Sequence, residues 1–183
     1  KASQYAENRY FGKPCGLMDQ AAIALGGVNL IDFADTDNPI VEAAPWTEQG
    51  LDIFVINAGG DHSDLVADYA GILSDMKNVA KFFSVDCLRK TTKADVLQFA
   101  STLREKISGR AVLRAMHFFE ECDRVDEALS SIEKGDTENF LDVINRSGDS
   151  SWRLLQNLYP PCDVEQYLPF AITLCKESGL CEA

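Results

Sequence analysis

The chain has 183 residues, 46% of them apolar and 25% charged, enough for one folded domain or two small lobes sharing a core and unlike a disordered or fibrous sequence. Its formal net charge of −12 repels nucleic acid and anionic lipid, and the densest basic stretch is only Arg89-Lys90 followed by Lys93. Neither nucleic-acid binding nor a membrane span is expected, since no apolar run is long enough to cross a bilayer and no signal peptide is present.

Residues 1–10 read as the end of an amphipathic helix, which puts the start of the protein upstream of Lys1. Gly12, Pro14 and Gly16 make a loop. A short helix is expected over 17–25, ended by Gly26-Gly27. Val28 to Phe33 reads as a strand, 35–38 as a turn and 40–44 as a second strand. The run Leu51-Asp52-Ile53-Phe54-Val55-Ile56 is the strongest strand signal in the chain, with Gly59-Gly60 after it.

Beyond it the periodicity turns helical. Leu65, Tyr69, Ile72, Leu73, Met76, Val79, Ala80 and Phe83 form one apolar stripe over 64–83, with Ser63 or Asp64 as its cap. A helix follows over 94–107. Another runs over 109–134, striped by Ala111, Ala115, Phe118, Cys122, Val125, Leu129 and Ile132. Gly135 stops it, and Asp136 caps a helix from 137 to about 146. Ser150 or Ser151 is expected to cap a short helix broken by Pro160-Pro161, and Asp163 to cap a last one carrying Val164, Tyr167, Leu168, Ala171, Leu174 and Cys175. Strands in front and helices behind predict an α+β fold. Six cysteines without a CxxC pair, in a chain too large to need a disulfide frame, read as free thiols, most of them core residues.

Single residues carry little chemistry by themselves. His62 and His117 are the only histidines, and a lone His is more often a surface or satisfied core residue than a catalyst. Asp19 reads equally as a carboxylate placed at a helix start, where the dipole favours it. Tyr69 lies on a core stripe.

Their order says more. Residues 6–33, AENRYFGKPCGLMDQAAIALGGVNLIDF, hold an Ala-Glu-Asn helix end, a Gly-x-Pro-Cys-Gly loop, an apolar-Met-Asp-Gln helix start and a glycine-ended turn into a strand. This closely resembles the galactokinases of the GHMP kinase superfamily. FVINAGGDHSDLVADY at 54–69 resembles that family's strand ending in Asn, then His-Ser, then an acidic residue and Tyr opening a long helix. Arg114-Ala115-Met116-His117 with Glu120 or Glu121, and GDTENFLDVINRSGDSSWRLLQNLYP at 135–160, resemble the stretches after it.

The resemblance implies a GHMP-kinase-like fold, with 1–50 the remainder of an N-terminal domain and 51–183 a truncated C-terminal one. It implies transfer of the γ-phosphoryl group of ATP to the C1 hydroxyl of galactose, with Mg²⁺, in the cytoplasm. Asp19 resembles the base that takes the hydroxyl proton, Gly16 the glycine whose backbone N–H meets the sugar, and Tyr69 the tyrosine that hydrogen-bonds a sugar hydroxyl. Asn8 and Cys15 read as structural, and no metal ligand falls in this chain. The family's upstream sugar-binding segment, its Gly-Leu-Ser-Ser-Ser-Ala phosphate loop and its last Gly-rich loop have no counterpart here, so this piece alone is expected to be inactive and prone to self-association. Family helices after the tyrosine are rich in arginine, whereas this one reads Ala70-Gly71-Ile72-Leu73-Ser74-Asp75. Another sugar (N-acetylgalactosamine, arabinose or galacturonate) or a non-catalytic sugar and ATP sensor are the competing readings.

Overall fold

Helices dominate the computed structural model of the chain, which describes residues 1–12, 15–46, 50–59, 66–160 and 163–179. The order is α1 (Ala2–Tyr10), α2 (Met18–Leu25), β1 (Asn29–Asp32), β2 (Ile40–Ala43), α3 (Val66–Phe82), a 3-10 turn (Leu88–Lys90), α4 (Lys93–Gln98), α5 (Ala100–Lys106), α6 (Gly109–Lys134), α7 (Thr137–Ser150), a π turn (Ser151–Leu155) and α8 (Tyr167–Ser178). The architecture is α+β, as the order of periodicities predicts.

β1 and β2 pair antiparallel, with Asn29 opposite Ala43 and Asp32 opposite Ile40. The turn between them is tied by Asp35, whose Oδ1 accepts the N–H of Asp37 at 2.9 Å. Arg89, in the 3-10 turn, grips both carboxylate oxygens of Asp32, with Nη2 donating to Oδ2 at 2.7 Å. That fork fastens the hairpin to the helical body. Trp46 adds an edge-on contact to Phe140 of α7, ring centroids 5.3 Å apart.

The core lies where α3, α4 and α5 pack on α6. Val79, Ala80, Leu88, Val96, Leu103, Ala111 and Ala115 are buried together there. On α6 Ala111 and Ala115 lie four residues apart, and on α3 the partly buried Met76 stands three and four residues before Val79 and Ala80, the stripe expected of amphipathic helices. α6 begins where Ser108 Oγ accepts the N–H of Ala111 at 3.0 Å and ends at Gly135, whose φ of 66° suits a left-handed cap. Asp136 Oδ1 then caps α7 through the N–H of Asn139 at 3.0 Å.

Five expectations are corrected. The run 51–56 is not a strand: no described strand lies beside it, and Ile53, Phe54 and Val55 are 88%, 78% and 97% exposed. Apolar β-formers make a ladder only against a neighbouring edge, so composition alone does not suffice. The helix expected over 94–107 divides at Phe99, whose ring turns onto those of Phe82 and Phe83, at 6.0 and 5.9 Å. Ser150 caps nothing. Its hydroxyl meets His117 Nδ1 at 2.9 Å, and α7 runs directly into the π turn. Asp163 closes a local turn by accepting the N–H of Glu165 at 2.9 Å, so α8 starts later, after Gln166, and Val164 is exposed. Lastly, Cys87 and Cys122 are exposed rather than core; Cys15, Cys87, Cys122 and Cys175 are free thiols. Ser63, Asp64, His62, Pro161, Cys162 and Cys181 lie outside the described residues.

Candidate functional site

Gly16 and Asp19 sit on a loop and helix start held from below by amide side chains. Asn8 of α1 clamps Cys15: its Oδ1 accepts the Cys15 N–H at 2.9 Å, and its Nδ2 donates to the Cys15 carbonyl at 3.1 Å. Gln4 Nε2 donates to the same carbonyl at 3.3 Å, and Gln20 Nε2 donates to Cys15 Sγ at 3.1 Å. The residues read as structural thus fix the backbone that presents Gly16. A Cβ built on Gly16 meets no atom of the described residues within 4 Å, apart from its chain neighbours.

Asp19 lies in the first turn of α2 and is exposed. Its carboxylate makes no hydrogen bond or ion pair among the described residues, and the amide ends of the helix favour a negative charge there. α2 rests on β1, so this group belongs to the hairpin side of the molecule.

Tyr69 rides on α3, which packs against α6. It is not core, as the stripe suggested, but 52% exposed at a cavity of about 540 Å³. Arg110, Arg114, Arg153, Trp152 and Tyr159 line the same cavity, with Asp68 the one acid among the described lining residues. Beneath it, Asp75 Oδ2 accepts from Arg110 Nε at 2.7 Å and from Arg114 Nη1 at 2.8 Å. Asp75 holds Arg110 above its ordinary pKa, chiefly by this hydrogen bond. Arg114 Nε also donates to the Leu155 carbonyl at 3.0 Å, pinning the π turn to α6. The structure therefore keeps Gly16 with Asp19 and holds Tyr69 on a different element.

His117 is a satisfied core residue, buried against Ser150. Glu121 pairs with Arg124 and accepts from Ser147 Oγ; Glu120 pairs with Lys93 at 3.0 Å. The Arg-Ala-x-His-x-x-x-Glu face of α6 thus packs the helices together. The arginine-lined cavity went unread in the sequence. Its one available signal was an acid, Asp75, placed inside the apolar stripe of α3 and matched by two arginines spaced i, i+4 on α6.

Among the described residues, no three His, Cys, Asp or Glu side chains gather to hold a metal ion, and no helix is long and apolar enough to cross a membrane.

Against known proteins, the chain is similar to galactokinases. It is 31% identical over 147 residues to the galactokinase of Actinobacillus pleuropneumoniae serotype 3 (strain JL03), covering 80% of this chain and 38% of the relative. It is 29% identical over 147 residues to that of Glaesserella parasuis serovar 5 (strain SH0165), with the same coverage. To that of Thermotoga petrophila it is 28% identical over 159 residues, covering 87% of this chain and 42% of the relative. The chain thus spans about two fifths of the length of these curated relatives. No family model matches it, and no solved structure matches it significantly.

Proposed function

Because this chain is a relative of the galactokinases, we propose that it supplies the Asp19-bearing central part of a cytoplasmic sugar kinase, which moves the γ-phosphoryl group of ATP to the C1 hydroxyl of galactose. The similarity to galactokinases over 80–87% of the chain carries this reading. In it, residues 1–50 belong to the N-terminal lobe and 51–183 to the C-terminal one.

A protonated sugar hydroxyl is a poor nucleophile. Asp19 accepts the C1 hydroxyl proton as the oxygen attacks phosphorus and the bond to the ADP oxygen breaks. An exposed carboxylate at a helix start suits that role, because no hydrogen bond or ion pair among the described residues competes for its lone pairs. The Gly16 N–H meets the sugar from the clamped loop, where no described residue crowds it. Tyr69 donates to or accepts from another sugar hydroxyl at its cavity. Magnesium, when bound, neutralises charge on the transferring phosphates.

The test is a sugar panel with the longer protein that contains this chain, reading ADP formed from ATP and Mg²⁺. Galactose is expected to give the highest kcat/KM. A clear preference for N-acetylgalactosamine, arabinose or galacturonate would replace galactose as the acceptor. Tight binding of galactose and ATP without turnover would make the protein a sensor.

A further inference from the structure

Two side chains from one face of α1 hold the carbonyl of the Cys15–Gly16 peptide. Asn8 Nδ2 donates to the Cys15 oxygen at 3.1 Å, and Gln4 Nε2 donates to the same oxygen at 3.3 Å. Gln4 and Asn8 stand at i, i+4 on α1, the spacing that stacks side chains on one side of a helix. Asn8 Oδ1 also accepts the Cys15 N–H at 2.9 Å, so one amide side chain meets the Cys15 backbone at two points. α1 is itself tied down at its start, where Lys1 Nζ donates to the Asp37 carbonyl in the hairpin turn at 2.7 Å.

A peptide unit is planar, and in the trans form its N–H points opposite to its C=O. The Cys15–Gly16 bond is trans. The two donors that draw the Cys15 carbonyl towards α1 therefore aim the Gly16 N–H away from α1. They also polarise the peptide, because a carbonyl that accepts hydrogen bonds leaves its own N–H a stronger donor. Gln20, the residue after Asp19, donates from Nε2 to Cys15 Sγ at 3.1 Å and ties the start of α2 to the same residue. Cys15 is thus the shared anchor of the Gly16 N–H and of the helical turn that carries Asp19.

We propose, on the reading of Gly16 as the sugar's amide donor and Asp19 as its base, that Asn8 and Gln4 are positioning residues for the sugar. Acting through the Cys15 carbonyl, they aim the Gly16 N–H at one sugar hydroxyl. That contact sets the ring so that its C1 hydroxyl reaches Asp19.

Kinetics of the longer protein that contains this chain, with ATP, Mg²⁺ and galactose, test this beside Asn8→Ala, Asn8→Asp and Gln4→Ala. Galactose and ATP affinities are read by calorimetry on the same proteins. Asn8→Ala is expected to lower kcat/KM for galactose about 10- to 100-fold, the size of a small misplacement at a reacting centre, and to weaken galactose binding. KM for ATP and Tm should stay close to the parent's. Asn8→Asp keeps an acceptor for the Cys15 N–H but sets an oxygen against the carbonyl, so it should fall as far as Asn8→Ala. Gln4→Ala leaves the shorter Asn8 bond in place and should fall less. Among monodeoxygalactoses, the affinity lost in Asn8→Ala should vanish for the one that lacks the hydroxyl facing the Gly16 N–H. An Asn8→Asp protein as active as the parent, an equal loss on every deoxy sugar, or equal losses of galactose and ATP affinity would overturn the positioning role. A parent that binds galactose without forming ADP sinks the kinase reading alone, since Asn8→Ala is still expected to weaken galactose there. A parent that does not bind galactose overturns both.

Discussion

Arg114 on α6 donates from Nη1 to Asp75 Oδ2 on α3 at 2.8 Å, with both side chains buried under the Tyr69 cavity. Arg110 Nε reaches the same oxygen at 2.7 Å, so one carboxylate serves two cations. Asp75→Ala leaves the Arg114 cation buried without a counter-charge. The expected loss is about 3–5 kcal/mol, read from urea midpoints at unchanged m. A loss under about 1 kcal/mol would mean that water reaches Arg114 and that the pair does not hold α3 to α6.

His117 should make stability depend on pH. Burial pushes its pKa below the ordinary 6.5, Arg124 adds to the shift, and Glu121 and Glu120 oppose it. Its ring is neutral in the fold, while the unfolded chain takes up a proton near pH 6.5. Stability from this group is therefore complete above 6.5 and is lost as pH falls through 6.5 towards the lower folded value. Tm is expected to drop between about pH 7.5 and 5.5, less steeply in His117→Asn, which does not titrate there. Identical slopes in the two proteins would show that other groups set the pH dependence.

Much of the helical half was legible because its signals are local. Gly135, Asp136 and the 3–4 residue stripe of α6 act within a few residues and were read to within a residue or two. What failed depended on partners distant in sequence. The hydroxyl of Ser150 is claimed by His117, 33 residues away, and 51–56 has no neighbouring strand among the described residues, which its composition calls for. At the candidate site, the Asn8 clamp on Cys15 agrees with a structural reading of both residues. The cavity at Tyr69 stayed hidden because its arginines come from 110, 114 and 153, and only folding brings them to one wall.

The Asp32–Arg89 fork is a polar tie between the hairpin and the 3-10 turn after α3. The arginine holds the Asp32 carboxyl below its usual range, first through the side-chain hydrogen bond. Asp32→Asn removes the charge and replaces one of the two acceptor oxygens by an NH2 donor. Amides of β1 and β2 are expected to exchange with deuterium faster, while those of α3 and α6 stay protected. Unchanged exchange in the hairpin would assign its docking to apolar contacts alone.

The exposed run 51–56 carries one charge in six residues and no glycine or proline, the composition of a strand that pairs with whatever edge it meets. The chain is expected to self-associate in light scattering as concentration rises, and Phe54→Lys to suppress this. A monodisperse wild-type monomer at high concentration would contradict it.

The most direct measurement is ADP release by the longer protein with galactose, ATP and Mg²⁺, beside Asp19→Ala. Loss of a general base typically costs about 10²–10⁴-fold in rate, and a fall of that size in kcat with sugar binding retained is the predicted result. Turnover that persists in Asp19→Ala, or is absent from the parent despite sugar and ATP binding, would contradict the account and leave Asp19 as a helix-terminal carboxylate.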